Sequence, residues 1–208
     1  MSAFTTIVAD PPWQYRSSGS HLRNSFDARP NSNQVESNTA GSHSRYGSLS
    51  LEGLKGIPVA EVAATDAHLY LWTTNSFLVE AHELMAAWGF AQKTVLTWVK
   101  MRGDGSGPSA RMGYYFRGAT EHVLFGVRGR LRLTTGKAVV PNVLFTPRVL
   151  KHSLKPQQFF ELVERVSPGP YLEMFARQPR MGWSVWGDEV TSDVPEFDAV
   201  GRVPESTP

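Results

Sequence analysis

No cysteine occurs among the 208 residues of this chain. Disulfides, thiolate metal sites and thiol nucleophiles are therefore excluded. No apolar run approaches the roughly 20 residues that a membrane helix needs, and the first apolar segment begins almost at once, with no signal sequence before it. We expect a single-domain cytoplasmic protein that makes no membrane contact.

Several common catalytic patterns are also missing. His82-Glu83 is followed by Ala86 where a zinc protease would have its second histidine. The glycine-rich run 103–107 has neither a phosphate-binding lysine nor the third glycine of a dinucleotide fingerprint. The histidines show no metal-ligand spacing and no nucleophile elbow occurs, so we predict no metal site.

Charge is almost balanced overall, at +2, but it is unevenly distributed. Between residues 100 and 151 only Asp104 and Glu121 oppose a long series of basic residues. Those basic residues are Lys100, Arg102, Arg111, Arg117, Arg128, Arg130, Arg132, Lys137, Arg148 and Lys151. A basic middle favours a polyanionic partner such as nucleic acid, with an ordinary solvated surface as the alternative. Residues 191–208 are acidic and are predicted to form a disordered tail after a domain at 1–190.

Apolar periodicity predicts strands that alternate with helices. The predicted strands are Phe4–Ala9, His68–Thr73, Thr94–Val99, Glu121–Val127, Asn142–Phe145, Tyr171–Phe175 and Trp183–Trp186. The predicted helical segments are an interrupted stretch at 51–63, a helix at 77–88, and one that begins at Pro156 and ends before Pro168. This alternation predicts an α/β fold with a mostly parallel sheet and helices on both faces.

The first strand ends in Asp10-Pro11-Pro12-Trp13. Proline cannot extend a central strand, so the chain must leave the sheet at this corner. In open α/β sheets, ligands bind at the carboxyl ends of strands. The alternative is a simple turn whose tryptophan packs in the core.

Two polar segments, 14–50 and 101–113, lack apolar periodicity and are predicted to be flexible loops beside the site. The first contains basic and aromatic residues, a combination that suits phosphates and stacked bases. A disordered insertion is the alternative for its middle.

The corner has the groups needed to activate an exocyclic aromatic amine. Such an amine is a poor nucleophile because its lone pair is delocalised into the ring. If its N–H groups donate to the Asp10 carboxylate and the Pro11 carbonyl, that pair becomes localised on nitrogen. Trp13 can stack on the base, and a cationic sulfonium methyl donor suits a site of carboxylate and aromatic groups.

The corner is one of several sequence blocks that together, in one order, resemble a known family. The blocks beyond the corner are Tyr46–Ser48, Leu69–Asn75, Thr97–Lys100, Gly118–Gly129, His152–Pro156, Tyr171–Arg177 and Gly182–Glu189. The chain resembles the DPPW-type adenine-N6 methyltransferases, which include the catalytic subunit of the eukaryotic messenger-RNA adenosine methyltransferase. The resemblance implies a Rossmann-like methyltransferase fold and S-adenosylmethionine as cofactor, with S-adenosylhomocysteine as product.

The resemblance also implies cofactor roles for particular residues. They are Asp10, Lys155, Glu173, Arg177, Asp188 and Glu189. Lys155 would meet the cofactor carboxylate. Arg177 would reach the ribose hydroxyls with Glu173 supporting it, and Asp188 and Glu189 would contact the adenine. Surface ion pairing is the alternative for Lys155 and Arg177.

Catalysis is assigned by the resemblance to Asp10, Pro11, Pro12 and Trp13. Trp13 and Tyr46 would enclose the target base, and Arg16, Lys100 and Arg117 are predicted to contact the substrate. Glu121 and His122 are as consistent with a structural role as with a functional one, and Trp72, Trp183 and Trp186 are expected in the core.

We expect methylation of adenine N6 in DNA. The same reaction on RNA, a small-molecule amine methyltransferase and an inert nucleic-acid-binding partner subunit are the alternatives. A homodimer or a second subunit is an expected partner, because the chain has no appended target-recognition module.

Overall fold

One seven-stranded sheet organises the chain in this computed structural model, which describes residues 3–14, 49–110, 115–136, 139–147 and 154–197. Its strands are β1 (Phe4–Ala9), β2 (Ala63–Thr73), β3 (Ala91–Met101), β4 (Thr120–Arg128), β5 (Val143–Pro147), β6 (Tyr171–Met174) and β7 (Trp183–Trp186). They lie in the order β5-β3-β4-β2-β1-β6-β7. Only β4 runs antiparallel to its neighbours. The prediction of a mostly parallel α/β sheet is confirmed.

Four α-helices accompany the sheet in the described part of the chain. They are α1 (Leu51–Lys55), α2 (Val59–Val62), α3 (Leu78–Ala87) and α4 (Gln157–Val166). The interrupted stretch predicted at 51–63 is therefore two short helices. The side chain of Ser50 caps the first helix by accepting a hydrogen bond from the Gly53 N–H at 3.1 Å. Pro58 is the N-cap residue of the second helix.

Helices cover both faces of the sheet, as predicted. On one face, Ile7, Leu69 and Leu124 pack with residues of α1, α2 and α3 in a single cluster. On the other, Tyr70 and Trp72 pack with the apolar side of α4. That side of α4 consists of Phe159, Phe160, Val163 and Val166.

Among the strands, the start of β2 differs most from its prediction. Strand β2 begins at Ala63 rather than at His68. Ala63 pairs with Phe4 of β1 and Ala67 pairs with Arg128 of β4, so backbone pairing extends the strand into a polar stretch. The Asp66 side chain also accepts the backbone N–H of Arg130.

Residues 191–197 are the part of the predicted acidic tail that the structure describes. Val194 and Phe197 are buried, and Phe197 packs on Trp186 with ring centroids 5.0 Å apart. Two apolar side chains thus hold this stretch on the core.

The structure describes only part of each of the two predicted loops. Residues 15–48 of the first lie outside the described residues. In the second, residues 101–110 fold back on the end of β3, where the Ser109 N–H donates to the Lys100 carbonyl at 2.6 Å. In the ranges that the structure describes, no helix is long and apolar enough to cross a membrane.

A buried polar cluster links α4 to the sheet at the edge opposite the Asp10 corner. The Ser167 hydroxyl lies 2.8 Å from Nδ1 of His68 and 2.7 Å from the Tyr70 hydroxyl. His68 is fully buried. Burial lowers the pKa of His68, and the nearby Leu131 carbonyl only partly opposes this effect.

We expect the free energy of unfolding to fall as the pH is lowered below about 6.5, the unperturbed pKa of histidine. Because the folded-state pKa of His68 is lowered, the unfolded chain binds more protons in this range, and stability that is present above pH 6.5 is lost on acidification. Urea unfolding at pH 7.5, 6.5 and 5.5 measures this dependence. The His68→Gln variant, which cannot gain a proton there, should show a flatter dependence. An equal slope in both proteins would contradict the assignment to His68.

Candidate active site

The Asp10 corner lies at the edge where the parallel strands end. Ala9 of β1 is level with Leu71 of β2 and Met174 of β6. Because β4 runs the opposite way, it begins at this edge, with His122 paired to Thr73. Side chains from the ends of several strands and from the start of β4 therefore converge here, as expected for a ligand site in an α/β sheet.

The two prolines and Trp13 form a tight, anchored turn. The Trp13 backbone N–H donates to the Pro11 carbonyl at 2.8 Å, which closes a γ-turn centred on Pro12. The indole N–H of Trp13 donates to the Trp72 carbonyl at 3.1 Å, and its ring stacks on Phe77 at 5.5 Å. The turn fixes the direction of the Pro11 carbonyl, whose oxygen has a second lone pair for another donor.

Asp10 belongs to a cluster of alternating charges. The Lys155 ammonium lies 2.8 Å from Oδ2 of Asp10 and 3.2 Å from Oε2 of Glu121. Lys100 contacts the other carboxylate oxygen of Glu121. The four side chains are between 13% and 29% exposed, so solvent screens them less than it screens surface pairs. Lys155 also lies over the ring of Trp72, at 4.9 Å from the centroid.

The cluster sets the charge states of its members. Burial raises the pKa of Asp10, while Lys155 opposes that rise. Burial alone would raise the pKa of Glu121 and lower that of Lys155. The two lysines outweigh burial and lower the pKa of Glu121, whereas Asp10 and Glu121 outweigh it and raise the pKa of Lys155. Lys155 and Glu121 are thus held in their charged forms.

A cleft opens beside this cluster, between the sheet and the start of α4. It encloses about 430 Å³, including the part open to solvent. Its lining is Val8, Asp10, Trp72, Leu154, Lys155, Phe160, Glu173, Met174, Phe175, Arg177, Gln178 and Arg180. Trp72, expected in the core, is buried and also lines this cleft.

Two loops at the far side of the cleft lie backbone against backbone. The Ala176 N–H donates to the Trp186 carbonyl at 2.9 Å. A side chain at Gly187 would collide with the Ala176 backbone, so only glycine allows this approach. Phe175 leaves β6 with a φ of 61°, a strained conformation for a residue with a side chain.

The structure changes the predicted support of Arg177. Glu173 pairs with Arg180, at 3.2 Å, rather than with Arg177. Arg180 also donates to the Gln157 side chain at 2.7 Å and lies over the Phe160 ring. Arg177 instead contacts Glu189 at 3.3 Å.

The other predicted site residues lie at different distances from the cleft. Asp10, Lys155, Glu173 and Arg177 line it. Asp188 and Glu189 follow β7, and Glu189 contacts Arg177. Tyr46 and Arg16, predicted to contact substrate, lie outside the described residues.

Lys100 and Arg117, the remaining predicted substrate contacts, differ in exposure. The Lys100 ammonium is engaged by Glu121, while Arg117 is exposed just before β4, next to Tyr115 and Phe116, which are 96% and 92% exposed.

The basic residues that the structure describes in the middle of the chain lie at two ends of the sheet. Lys100, Arg102 and Arg117 lie at the carboxyl edge, near the cleft. Strand β4 then carries the chain about 26 Å to the other edge, so Arg128, Arg130 and Arg132 lie at the far end of the sheet.

Sequence reasoning missed Arg180 as a site residue and left the role of Glu121 undecided. The antiparallel direction of β4 brings Glu121 to the site, and the sequence carries no direct signal for that direction. In the described part of the chain, no three histidine, aspartate or glutamate side chains group as they would around a metal ion.

Comparisons with known proteins identify relatives of this chain. The chain is 27% identical over 205 residues to the type II methyltransferase M.MunI of Mycoplasma sp. This match covers 98% of this chain and 84% of that protein. It is 32% identical over 194 residues to the N6-methyladenosine RNA methyltransferase MTA1 of Cryphonectria parasitica, covering 90% and 52%. It is 30% identical over 208 residues to the N(6)-adenine-specific methyltransferase METTL4 of Mus musculus, covering 90% and 37%. The chain thus spans about half or less of the last two proteins.

The matched family model is MT-A70, and the match extends over residues 4–189. This range contains the Asp10 corner, the charge cluster and every residue named above as lining the cleft. The chain belongs to the MT-A70 family.

Proposed function

We propose that this protein transfers a methyl group from S-adenosylmethionine to N6 of adenine in DNA. The observation that carries the proposal is the Asp10 carboxylate, held beside an open cleft by the rigid turn at Pro11–Trp13. Relatives of this chain are named as N(6)-adenine-specific and N6-methyladenosine methyltransferases, which supports the reaction type.

The residues of the corner would activate the target amine. Asp10 accepts one N–H of the adenine amino group, and the Pro11 carbonyl accepts the other with its second lone pair. Both acceptors are fixed in advance, so little reorganisation is needed when the lone pair localises on nitrogen. Trp13 presents the ring face opposite Phe77 to the base, where stacking contributes about 1–3 kcal/mol.

The cleft has a donor set that fits S-adenosylmethionine in a Rossmann-like methyltransferase fold. The cofactor carries a sulfonium, an amino-acid end, a ribose and an adenine, and it supplies an electrophilic methyl group. Lys155 suits the carboxylate and Arg177 the ribose hydroxyls. Asp10 and Glu173 supply negative charge within the same cleft, and Asp188 and Glu189 are assigned to the adenine end.

DNA is favoured over RNA as the substrate. The chain covers 84% of a type II methyltransferase, a class that modifies DNA, but only 52% of the RNA methyltransferase MTA1. The exposed aromatic pair Tyr115 and Phe116, beside Arg117, offers stacking and charge to either polymer. The base must be flipped out or already single-stranded, because an amine inside a duplex cannot enter the corner.

A second subunit is part of the proposal. One relative, 22% identical over 194 residues, is named as a subunit, METTL3 of Danio rerio. An inert binding subunit is the alternative role for this chain, but the intact Asp10 corner and its pairing with Lys155 favour catalysis.

Incubation with methyl-labelled S-adenosylmethionine tests the proposal. Duplex DNA, single-stranded DNA, RNA and free adenosine serve as four substrates, and nucleoside mass spectrometry identifies the product. We expect N6-methyldeoxyadenosine from DNA. N6-methyladenosine from RNA alone would transfer the proposal to RNA, and no N6-methylated product from any substrate, with or without a partner subunit, would overturn it.

A further inference from the structure

Four charged side chains form an unbroken chain of contacts across the sheet edge. Lys100 at the end of β3 contacts Glu121 on β4, Glu121 contacts Lys155 before α4, and Lys155 contacts Asp10 after β1. Glu121 is the only member that contacts both lysines among these ion pairs. It therefore controls how the Lys155 ammonium is shared.

In the proposed reaction, the sharing of Lys155 between Asp10 and Glu121 affects how well Asp10 can accept a hydrogen bond from the substrate amine. A carboxylate that forms an ion pair with one ammonium has part of its negative charge compensated, which weakens its attraction for another donor. If Lys155 had no second acid, its ammonium would pair with Asp10 alone. Glu121 draws the ammonium from the other side at 3.2 Å, against 2.8 Å for Asp10.

We propose that Glu121 is a positioning residue, which holds Lys155 between two carboxylates so that Asp10 stays available to the substrate amine, while Lys100 balances the charge of Glu121. This inference rests on the proposed function of the corner. Glu121 is not among the residues that line the cleft, and it acts through Lys155.

The charged groups around Asp10 determine in which direction the pKa of Asp10 should move when each of them is neutralised. Burial raises the pKa of Asp10, and the negative charge of Glu121 adds to that rise, whereas Lys155 and Arg177 lower it. Burial and the negative charge of Asp10 raise the pKa of Glu173. Glu121 itself faces Lys155 and Lys100. The network therefore predicts opposite effects when Glu121 and Lys100 are neutralised.

In Glu121→Gln, one influence that raises the pKa of Asp10 is removed and Lys155 turns to Asp10 alone. We expect the pKa of Asp10 to fall by about half a pH unit or more. In Lys100→Met, the charge of Glu121 is no longer balanced by Lys100, and we expect the pKa of Asp10 to rise. The double variant restores the charge balance and should lie between the two.

The measurement is a carbon-13 NMR titration of labelled aspartate carboxyl groups in the full chain without cofactor. The resonance of Asp10 is identified by its loss in Asp10→Asn. Glu83→Gln is the matched control, because Glu83 also contacts a lysine, Lys55, at 3.2 Å but lies at the surface. It should leave the Asp10 titration unchanged.

Kinetics supply the second readout. In Glu121→Gln we expect kcat to fall about tenfold or more, because Asp10 is captured by Lys155, and the acid limb of kcat/KM to move to lower pH. In Lys100→Met the acid limb should move to higher pH. A merely structural role for Glu121 would lower the amount of folded protein without moving either limb.

Two results would overturn the inference. One is an Asp10 titration that is the same in wild type, Glu121→Gln and Lys100→Met, and the other is a shift in the same direction in both single variants. If Glu121→Gln does not fold, the direction of the Asp10 pKa shift in Lys100→Met still tests the inference. The NMR titration does not depend on activity, so an inactive wild-type protein with opposite Asp10 shifts would count against the proposed function and not against this role of Glu121.

Discussion

The Asp10→Asn variant is expected to lose methyl transfer by about a thousandfold or more while remaining folded. Asparagine has nearly the shape of aspartate, but its side chain carries no negative charge, and one of its two polar atoms is a donor instead of an acceptor. The amine would lose its anionic acceptor at the point where positive charge develops on nitrogen, and removal of such a group typically costs two to four orders of magnitude, about 10²–10⁴.

Two measurements on Asp10→Asn separate chemistry from binding. Transfer of labelled methyl groups to DNA reports the rate, and calorimetry with S-adenosylhomocysteine reports binding, which we expect to be weakened at most. Glu61→Gln is the control, since Glu61 lies in α2, before the start of β2 at the opposite edge of the sheet. Full transfer activity in Asp10→Asn would show that another group holds the amine.

The Lys155→Met variant is expected to be strongly destabilised at neutral pH. Methionine keeps much of the apolar stem but removes the cation that lies between Asp10 and Glu121. Two partly buried carboxylates would then face each other, and breaking such a pair by removing one partner costs about 3–5 kcal/mol. Transfer activity should fall as well, because Asp10 would be partly protonated near pH 7.

The pH dependence identifies the cause of this destabilisation. Without the lysine, the pKa values of Asp10 and Glu121 rise above their unfolded values, so the folded variant binds more protons than the unfolded chain and gains stability as the pH falls. The difference in unfolding free energy from wild type should therefore shrink between pH 7.5 and pH 5 in urea titrations. A constant difference across this range would assign the effect to lost packing.

Lys55→Met provides the surface counterpart of that experiment. Lys55 also bridges two carboxylates, Glu52 at 3.0 Å and Glu83 at 3.2 Å, but both acids are more than half exposed. Solvent screens such pairs, so we expect little change in stability. The contrast between the two lysines isolates the effect of burial.

Much of the sheet was predictable because its strands are locally encoded. The apolar and β-branched run before Asp10 predicted β1 with its observed bounds. The spacing of Phe159, Phe160, Val163 and Val166 predicted the buried side of α4. The start of β2 was missed, since residues 63–67 have no clear apolar pattern and belong to the strand through the pairing of Ala63 with Phe4 and of Ala67 with Arg128.

The sequence by itself determined the corner at Asp10–Trp13, because two prolines that follow a buried strand force the turn wherever the rest of the chain lies. Tertiary structure alone decided which side chains meet that corner. The antiparallel direction of β4 brought Glu121 to Lys155, and the packing of the loop after β6 paired Glu173 with Arg180. Local sequence rules reach only a few residues along the chain, whereas these contacts depend on strand direction and register, which are fixed when the whole sheet assembles.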